Sequence, residues 1–361
     1  MKKREDKVGR SVLILFTLLA IVLFIFEMGT KHNIRARYFE EKLKAGQIFQ
    51  EAMKKVKQER ERLAIPIDII NDPNETGIIG AQYTPITFQR SDLSASLTST
   101  NPNFVAILVE LLKKLKLKEG DEIAVGLDGS YPAANLALYS AMRTLGIKPV
   151  IISSVSSSMW GANIPNFTWL DIEYFLYQEK LFPFKSAAAT PGGEDELGRG
   201  FSPAARTQLD NDMLRTETQL LMSENLDANI KKRVEYYQSK GRIKAFINIG
   251  KSIANLGENR VSFSTGLIRR TPKNIEVSSV IKLMLEQKIP VININDINKL
   301  ATRYGLPIAP VPLPELGKGR LFTEKQFSQV FAIVFSLIII IALFFVIEYD
   351  LEYYLRKKRE L

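Results

Sequence analysis

Two uncharged apolar runs bracket this 361-residue chain and constrain its fold more than any other feature. Ser11 to Phe26 reads "SVLILFTLLAIVLFIF", sixteen residues, and Val330 to Ile347 reads "VFAIVFSLIIIIALFFVI", eighteen. A helix crossing the bilayer hydrocarbon needs about 20 apolar residues, and roughly 17 suffice. The second run meets this alone; the first meets it with its flanks, Val8 and Met28. The first reads as an uncleaved anchor rather than a signal peptide. Its apolar core is long, and the following "EMGTKHN" has no A-x-A-like cleavage site. Two spans put both termini on one side. Lys2, Lys3, Arg4, Lys7 and Arg10 precede the first, and Arg356, Lys357, Lys358 and Arg359 follow the second, so the positive-inside rule sets both ends in the cytoplasm. Lys31, Arg35, Arg37, Lys42 and Lys44 tie the local count, but long domains translocate largely regardless of charge. The expected protein is a two-pass component of the cytoplasmic (inner) membrane, with bilayer-spanning helices at 11–28 and 330–347 and cytoplasmic tails at 1–10 and 348–361. The main domain is then extracytoplasmic.

Composition narrows the chemistry. There is no cysteine, hence no disulfide and no thiolate. The single histidine, His32, excludes His-rich zinc sites and leaves a Ser-His-Asp triad one possible base. No metal and no cofactor are expected. Of the formal net charge of +10, the ends contribute +2 (residues 1–28) and zero (348–361), so residues 29–347 hold +8. That balance favours anionic partners, or is ordinary surface charge. No nucleic-acid partner is expected.

Along the chain, Phe39, Leu43, Phe49, Met53 and Val56 recur near helical spacing in a highly charged stretch, which predicts a helix within 29–70, either a stalk continuing the membrane helix or a helix lying on the domain. "NDPNETGIIG" is a turn-rich joint. Alternating units follow over 71–309: a helix over 101–117, a strand over 122–127, a helix over 133–145 and a second strand over 148–155. A loop or lid takes 184–203, helices fill 204–240, and strands at 243–249 and 290–294 flank a helix over 277–287. A short helix spans 296–304, and the Pro-rich residues 310–329 read as a tether. The β-α-β order predicts an α/β fold with a parallel, Rossmann-like sheet.

Parallel strands end on one edge, and ligands sit in the crevice there. Three polar corners fall on that edge. The first, "GLDGSYPAAN", carries Gly126, Asp128, Gly129 and Ser130 before a helix opened by Pro132. It reads three ways: a turn capped by Asp128 and Ser130, an anion site at a helix start, or a reacting Ser130, with Asp128 as a second candidate, that would need a lysine base. It lacks both G-x-G-x-x-G and the G-x-S-x-G elbow. The second corner, "SSVSSSMWGAN", carries Ser157, Trp160, Gly161 and Asn163, and suits a polar chain ligand or a plain Ser-rich loop. The third carries Gly250, Lys251 and Ser252. It is no phosphate loop, because Ala245 stands where the first glycine is required. Arg199, Arg269 and Arg270 are further candidate cations for carboxylates.

The segments "TSTNPNFVAILVELL", "AVGLDGSYPAANLA", "KPVIISSVSSSMWGANIPNFTWLD", "GRGFSP", "IKAFINIG" and "YGLPIAPVPLPELGKG" resemble the poly-γ-glutamate system protein family over about Thr98 to Gly319. The resemblance implies an accessory or export subunit working with the membrane ligase and small membrane subunit that make this capsule polymer. It brings no catalytic residues. The family's turn after the third strand is richer in glycine; here Lys251 and Ser252 stand in it. A basic domain with glycine corners on one sheet edge fits an anionic polymer carrying one carboxylate per residue. The alternatives are a serine-dependent amidohydrolase or transferase acting through Ser130, and a docking scaffold.

Overall fold

The computed structural model describes residue 8 and residues 10–221, 223–258, 263–272 and 277–349. The basic tail residues that set the expected orientation lie outside the described residues, apart from Arg10. The chain forms two compact units: the two ends together, up to Ala36 and from Thr323, and the segment Arg37–Phe322.

In the terminal unit, helix α1 (Arg10–Gly29) leads into strand β1 (His32–Arg35), and strand β13 (Thr323–Gln326) leads into helix α12 (Gln329–Glu348). Strands β1 and β13 pair antiparallel, His32 opposite Gln326 and Arg35 opposite Thr323. Both helices are long and apolar enough to cross a membrane. Most of their side chains are exposed. The ladder ties the end of α1 to the start of α12.

The larger unit opens with α2 (Phe39–Arg62), whose buried stripe, Ala45, Phe49, Ala52 and Val56, packs on three later helices. Helix α2 is therefore part of the folded body. Strand β2 (Thr87–Gln89) and helix α3 (Leu93–Ser99) follow, then α4 (Phe104–Lys114). The helix expected over 101–117 is shorter because Asn101 forms a turn, its side chain accepting from Asn103 N at 2.9 Å.

Strand β3 (Glu122–Asp128), helix α5 (Pro132–Leu145) and strand β4 (Lys148–Ser154) form the anticipated β-α-β unit. Pro132 occupies the first turn of α5, and Gly146 closes it in the left-handed conformation at φ 64. Two short pairs come next. Strand β5 (Ser157–Ser158) joins β2, and β6 (Asn163–Ile164) joins β7 (Phe167–Thr168). Helix α6 (Trp169–Gln178) starts at a capping box in which the Asp171 carboxylate accepts from both Thr168 N and its hydroxyl at 2.8 Å. Strand β8 (Ala188–Thr190), helix α7 (Pro203–Arg215), strand β9 (Gln219–Leu220) and helix α8 (Leu226–Ser239) then complete one side. Strand β10 (Phe246–Ile249) returns to the middle, followed by α9 (Ile253–Leu256), β11 (Gly266–Ile268), α10 (Val280–Glu286), β12 (Val291–Ile294) and α11 (Ile297–Arg303).

Seven of these strands make one sheet in the order β11-β12-β10-β3-β4-β8-β9. All neighbours are parallel except β11, which runs antiparallel on the edge. Side chains alternate across it. Ile123, Val125 and Leu127 join the cluster under α2, α4 and α5, while Ala124 joins the one under α8, α9 and α10. Burial on both faces explains why these strands read as continuous apolar runs. The lid expected over 184–203 contains β8, and an edge strand, β9, interrupts the helices expected over 204–240. The Pro-rich stretch expected as a tether is held to the body as far as Phe322. Asn103 donates to Glu315 O at 2.9 Å and accepts from Gly317 N at 3.0 Å, and Leu321 and Phe322 are buried.

Candidate functional site

Strand order reverses direction between β3 and β10, since β4, β8 and β9 build outward on one side and β10 and β12 on the other. In open α/β sheets such a reversal leaves a crevice at the carboxyl ends of the strands. Register fills it. Asp128 lies opposite Ser154, and Ser154 opposite Thr190. Ile249 lies opposite Leu127, so the Gly250 corner follows beside Asp128.

Asp128 organises this point. It is 4 % exposed. Its carboxylate accepts from Ser130 N at 2.8 Å and Lys251 N at 2.5 Å. Burial pushes its pKa up to about 6, against these hydrogen bonds, with nearby Glu196 adding to the rise. Gly250 is required here: its φ is +112, and a Cβ would overlap Asp128 Oδ1 and lie 2.6 Å from Oδ2. Ser252 turns the other way and donates to Glu196 Oε1 at 2.6 Å. Lys251 Nζ donates to Arg90 O and Ser91 Oγ, both at 3.1 Å, and sits 5.7 Å from the Tyr131 ring centre.

The second corner packs against the first. Ser157 Oγ donates to Gly129 O at 2.8 Å, and Ala162 N donates to the same carbonyl at 2.7 Å. Gly161 allows that approach, because a Cβ there would overlap Gly129 O. Asn163 is buried as a clamp, accepting from Ala81 N at 2.9 Å and donating to Ala81 O at 2.7 Å. Trp160 is half-buried, with φ 63 and its N–H on Ala81 O at 3.0 Å. Asn163 and Trp160 thus hold the turn rather than line the crevice. Gly126 lies within β3 beneath Asn255.

The expected cations divide. Arg199 is exposed and pairs with Asp195 at 3.2 Å, in a depression lined also by Glu194, Asp227 and Glu258. Its charge is answered locally, and that depression is acidic. Arg269 donates to Lys114 O at 2.9 Å, on the far edge near β11. Of the cations singled out in the sequence, Lys251 is the one at the crevice.

Sequence reasoning missed Glu196 and Arg233. Their side chains are 1 % and 0 % exposed and pair at 2.8 Å. Glu196 Oε2 also accepts from Ser154 and Thr190 hydroxyls at 2.6 Å each. Burial works against its charge, but Arg233 and these hydroxyls hold its pKa below the ordinary glutamate value. A further network joins Asn248 to Asn293 at 2.8 Å and Asn255 to Asn248 at 2.9 Å. Its available signal was an asparagine at the third position of both "FINI" and "VINI".

Inside the crevice, Asp128, Ser130, Ser154, Ser156, Ser157, Ser158, Glu196, Lys251 and Ser252 line a small cavity of about 10 Å³, room for about one water. It shares Phe88, Gln89, Lys251 and Ile253 with an open cleft of about 360 Å³, the low end of ligand-pocket size. Among the described residues no cluster of His, Asp or Glu is arranged to hold a metal. No family model, no curated protein and no solved structure matches the chain.

Proposed function

We propose that this chain is an accessory or export subunit of poly-γ-glutamate synthesis, anchored by two spans in the cytoplasmic (inner) membrane. Its Rossmann-like domain sits outside the cytoplasm and holds the anionic polymer along the carboxyl edge of the sheet. The observation that carries the reading is the convergence of Asp128, Ser130 and the Gly250–Lys251–Ser252 corner where strand order reverses, beside an open cleft. The motif resemblance supplies the polymer and its partners, the membrane ligase and the small membrane subunit.

The chemistry suits a γ-glutamyl chain. Each unit offers an amide and a carboxylate. The crevice offers hydroxyls from Ser154 to Ser158, the Lys251 ammonium at its mouth, and Asp128, which becomes a donor once protonated. Contacts of this kind are individually weak and salt-screened. Binding of poly-γ-glutamate to the full chain in lipid nanodiscs tests the reading. Low salt should give binding that Lys251→Ala weakens about tenfold, one charge-assisted hydrogen bond. No binding at low salt, beside a working control polymer-binding protein, would refute it.

That Ser130 and Asp128 line one cavity favours a second reading, a serine-dependent amidohydrolase or transferase. The base would be a lysine, with Asp128 beside the hydroxyl. Ser130→Ala separates the two: unchanged polymer length and yield in cells rules chemistry at this hydroxyl out.

A further inference from the structure

The loop Pro191–Ser202, between β8 and α7, carries Glu196 into the sheet edge. Every donor to that carboxylate comes from the scaffold of the domain. Ser154 ends β4 and Thr190 ends β8. Arg233 stands on α8, aligned by Asn229 at 2.9 Å. Ser252 and Ala254 N, the latter at 3.3 Å, belong to the start of α9. Five donors converge, and only the acceptor is supplied by a loop.

That loop is built as a separate piece. Gly198 N donates to Gly192 O at 2.8 Å and Glu194 N to Arg199 O at 3.1 Å, closing it on itself. Asp195 Oδ1 braces the tip from within, accepting from Leu197 N at 2.9 Å and Arg199 N at 3.1 Å. Gly192, Gly193, Gly198 and Gly200 all have positive φ, and so does Glu196 at 64°. A non-glycine residue held there marks backbone strain that its surroundings must offset. The offsetting contacts are those of the carboxylate.

We infer that Arg233 with Ser154, Thr190, Ser252 and the Ala254 amide forms a carboxylate-binding site, occupied by the chain's own Glu196 until a ligand carboxylate displaces it. The ligand class is a flexible chain bearing glutamate-like carboxylates, because the resident ligand is itself a glutamate side chain. This rests on the polymer-binding reading and deepens it. Ser154 and Ser252 also line the small cavity beside Asp128, so withdrawal of Glu196 enlarges that cavity toward the adjoining cleft. Glu194 and Arg199 are exposed at the tip, and opening must also break the bond from Gly193 N to Ser156 Oγ at 3.4 Å.

Glutarate, a glutamyl-like dicarboxylate, is the probe, used on the full chain in nanodiscs. Saturating glutarate should raise hydrogen exchange over residues 192–200 in the wild-type protein. Glu196→Gln removes the competing charge and should bind glutarate roughly tenfold more tightly, a modest fraction of a buried charge pair. Adding Arg233→Gln to that variant should abolish the gain. Unchanged loop exchange in the wild-type protein at saturation overturns the inference whether or not Glu196→Gln folds; so does a folded Glu196→Gln that binds no more tightly. If glutarate opens the loop but poly-γ-glutamate does not bind, the carboxylate site stands and the polymer reading fails. If the polymer binds with no loop opening and no gain in Glu196→Gln, the polymer reading stands and this site fails.

Discussion

Gly250→Ala puts a methyl group where the structure has no room. The new Cβ would overlap Asp128 Oδ1 and lie 2.6 Å from Oδ2, at a φ of +112. Either the carboxylate or the turn must move. Holding an L-residue in that region costs on the order of 1–3 kcal/mol. Displacing Asp128 from Lys251 N loses a hydrogen bond to a charged acceptor, about 1.5–3 kcal/mol. The two terms overlap, because the turn relaxes toward whichever is cheaper, so the expected loss is about 3 kcal/mol. At roughly 2 °C per kcal/mol for a unit of this size, the melting temperature should fall by about 6 °C. Differential scanning calorimetry on the detergent-purified protein measures this. Loss of the Lys251 N–H bond should also lift the Asp128 pKa further above its value of about 6, readable by carboxyl-carbon NMR. A variant melting within about 1 °C of wild type, with the Asp128 titration unmoved, would refute the claim that this corner and this carboxylate are built against each other.

Other perturbations probe the rest of the fold. Glu173 is buried against the Tyr139 and Ser186 hydroxyls, and burial pushes its pKa up to about 7. Between pH 4.5 and 7 the unfolded chain ionises it while the folded one keeps the proton, so stability from this group is full below 4.5 and lost as pH rises through 7. The loss is on the order of 3 kcal/mol, and Glu173→Gln should remove it, as denaturant unfolding at pH 5 and pH 8 would register. Phe49→Ala should cost about 3–5 kcal/mol, since Phe49 on α2 is 1 % exposed; a free stalk helix would lose under about 1 kcal/mol. Lys42→Met leaves Leu321 O and Glu110, now at 2.6 and 2.7 Å from the ammonium, without it. The loss should be about 2 kcal/mol, below that of a fully buried pair because the Glu110 side chain is 24 % exposed; urea unfolding measures it.

The sequence made the strands of the inner sheet legible because parallel strands buried on both faces are short apolar runs between turn residues. The corners at Gly129 and Gly250 were legible for the same reason: each follows such a run directly. Helix α2 could be read either as a stalk or as a helix on the domain because its buried stripe is narrow and its surface is charged. Even Lys42 and Arg60 are buried there, and Arg60 donates to Gly77 O, Ile79 O and Pro66 O at 3.0, 2.6 and 2.6 Å. Only carbonyls brought in by the fold make that arginine a core residue. Glu196 was invisible among Glu194 and Asp195, since nothing local distinguishes three adjacent carboxylates; the strand register that brings Ser154 and Thr190 together selects it. Strand β9 is two residues long, too short for any periodicity.

The most direct test of ligand binding at the sheet's carboxyl edge is photo-crosslinking with a γ-glutamyl oligomer bearing a short-range photoreactive group, on the full chain in nanodiscs. Adducts should map to Phe88, Gln89, Lys251 and the Ser156–Ser158 turn, and fade with excess unlabelled polymer or high salt. Adducts confined to the opposite edge of the sheet, or insensitive to competitor, would contradict it.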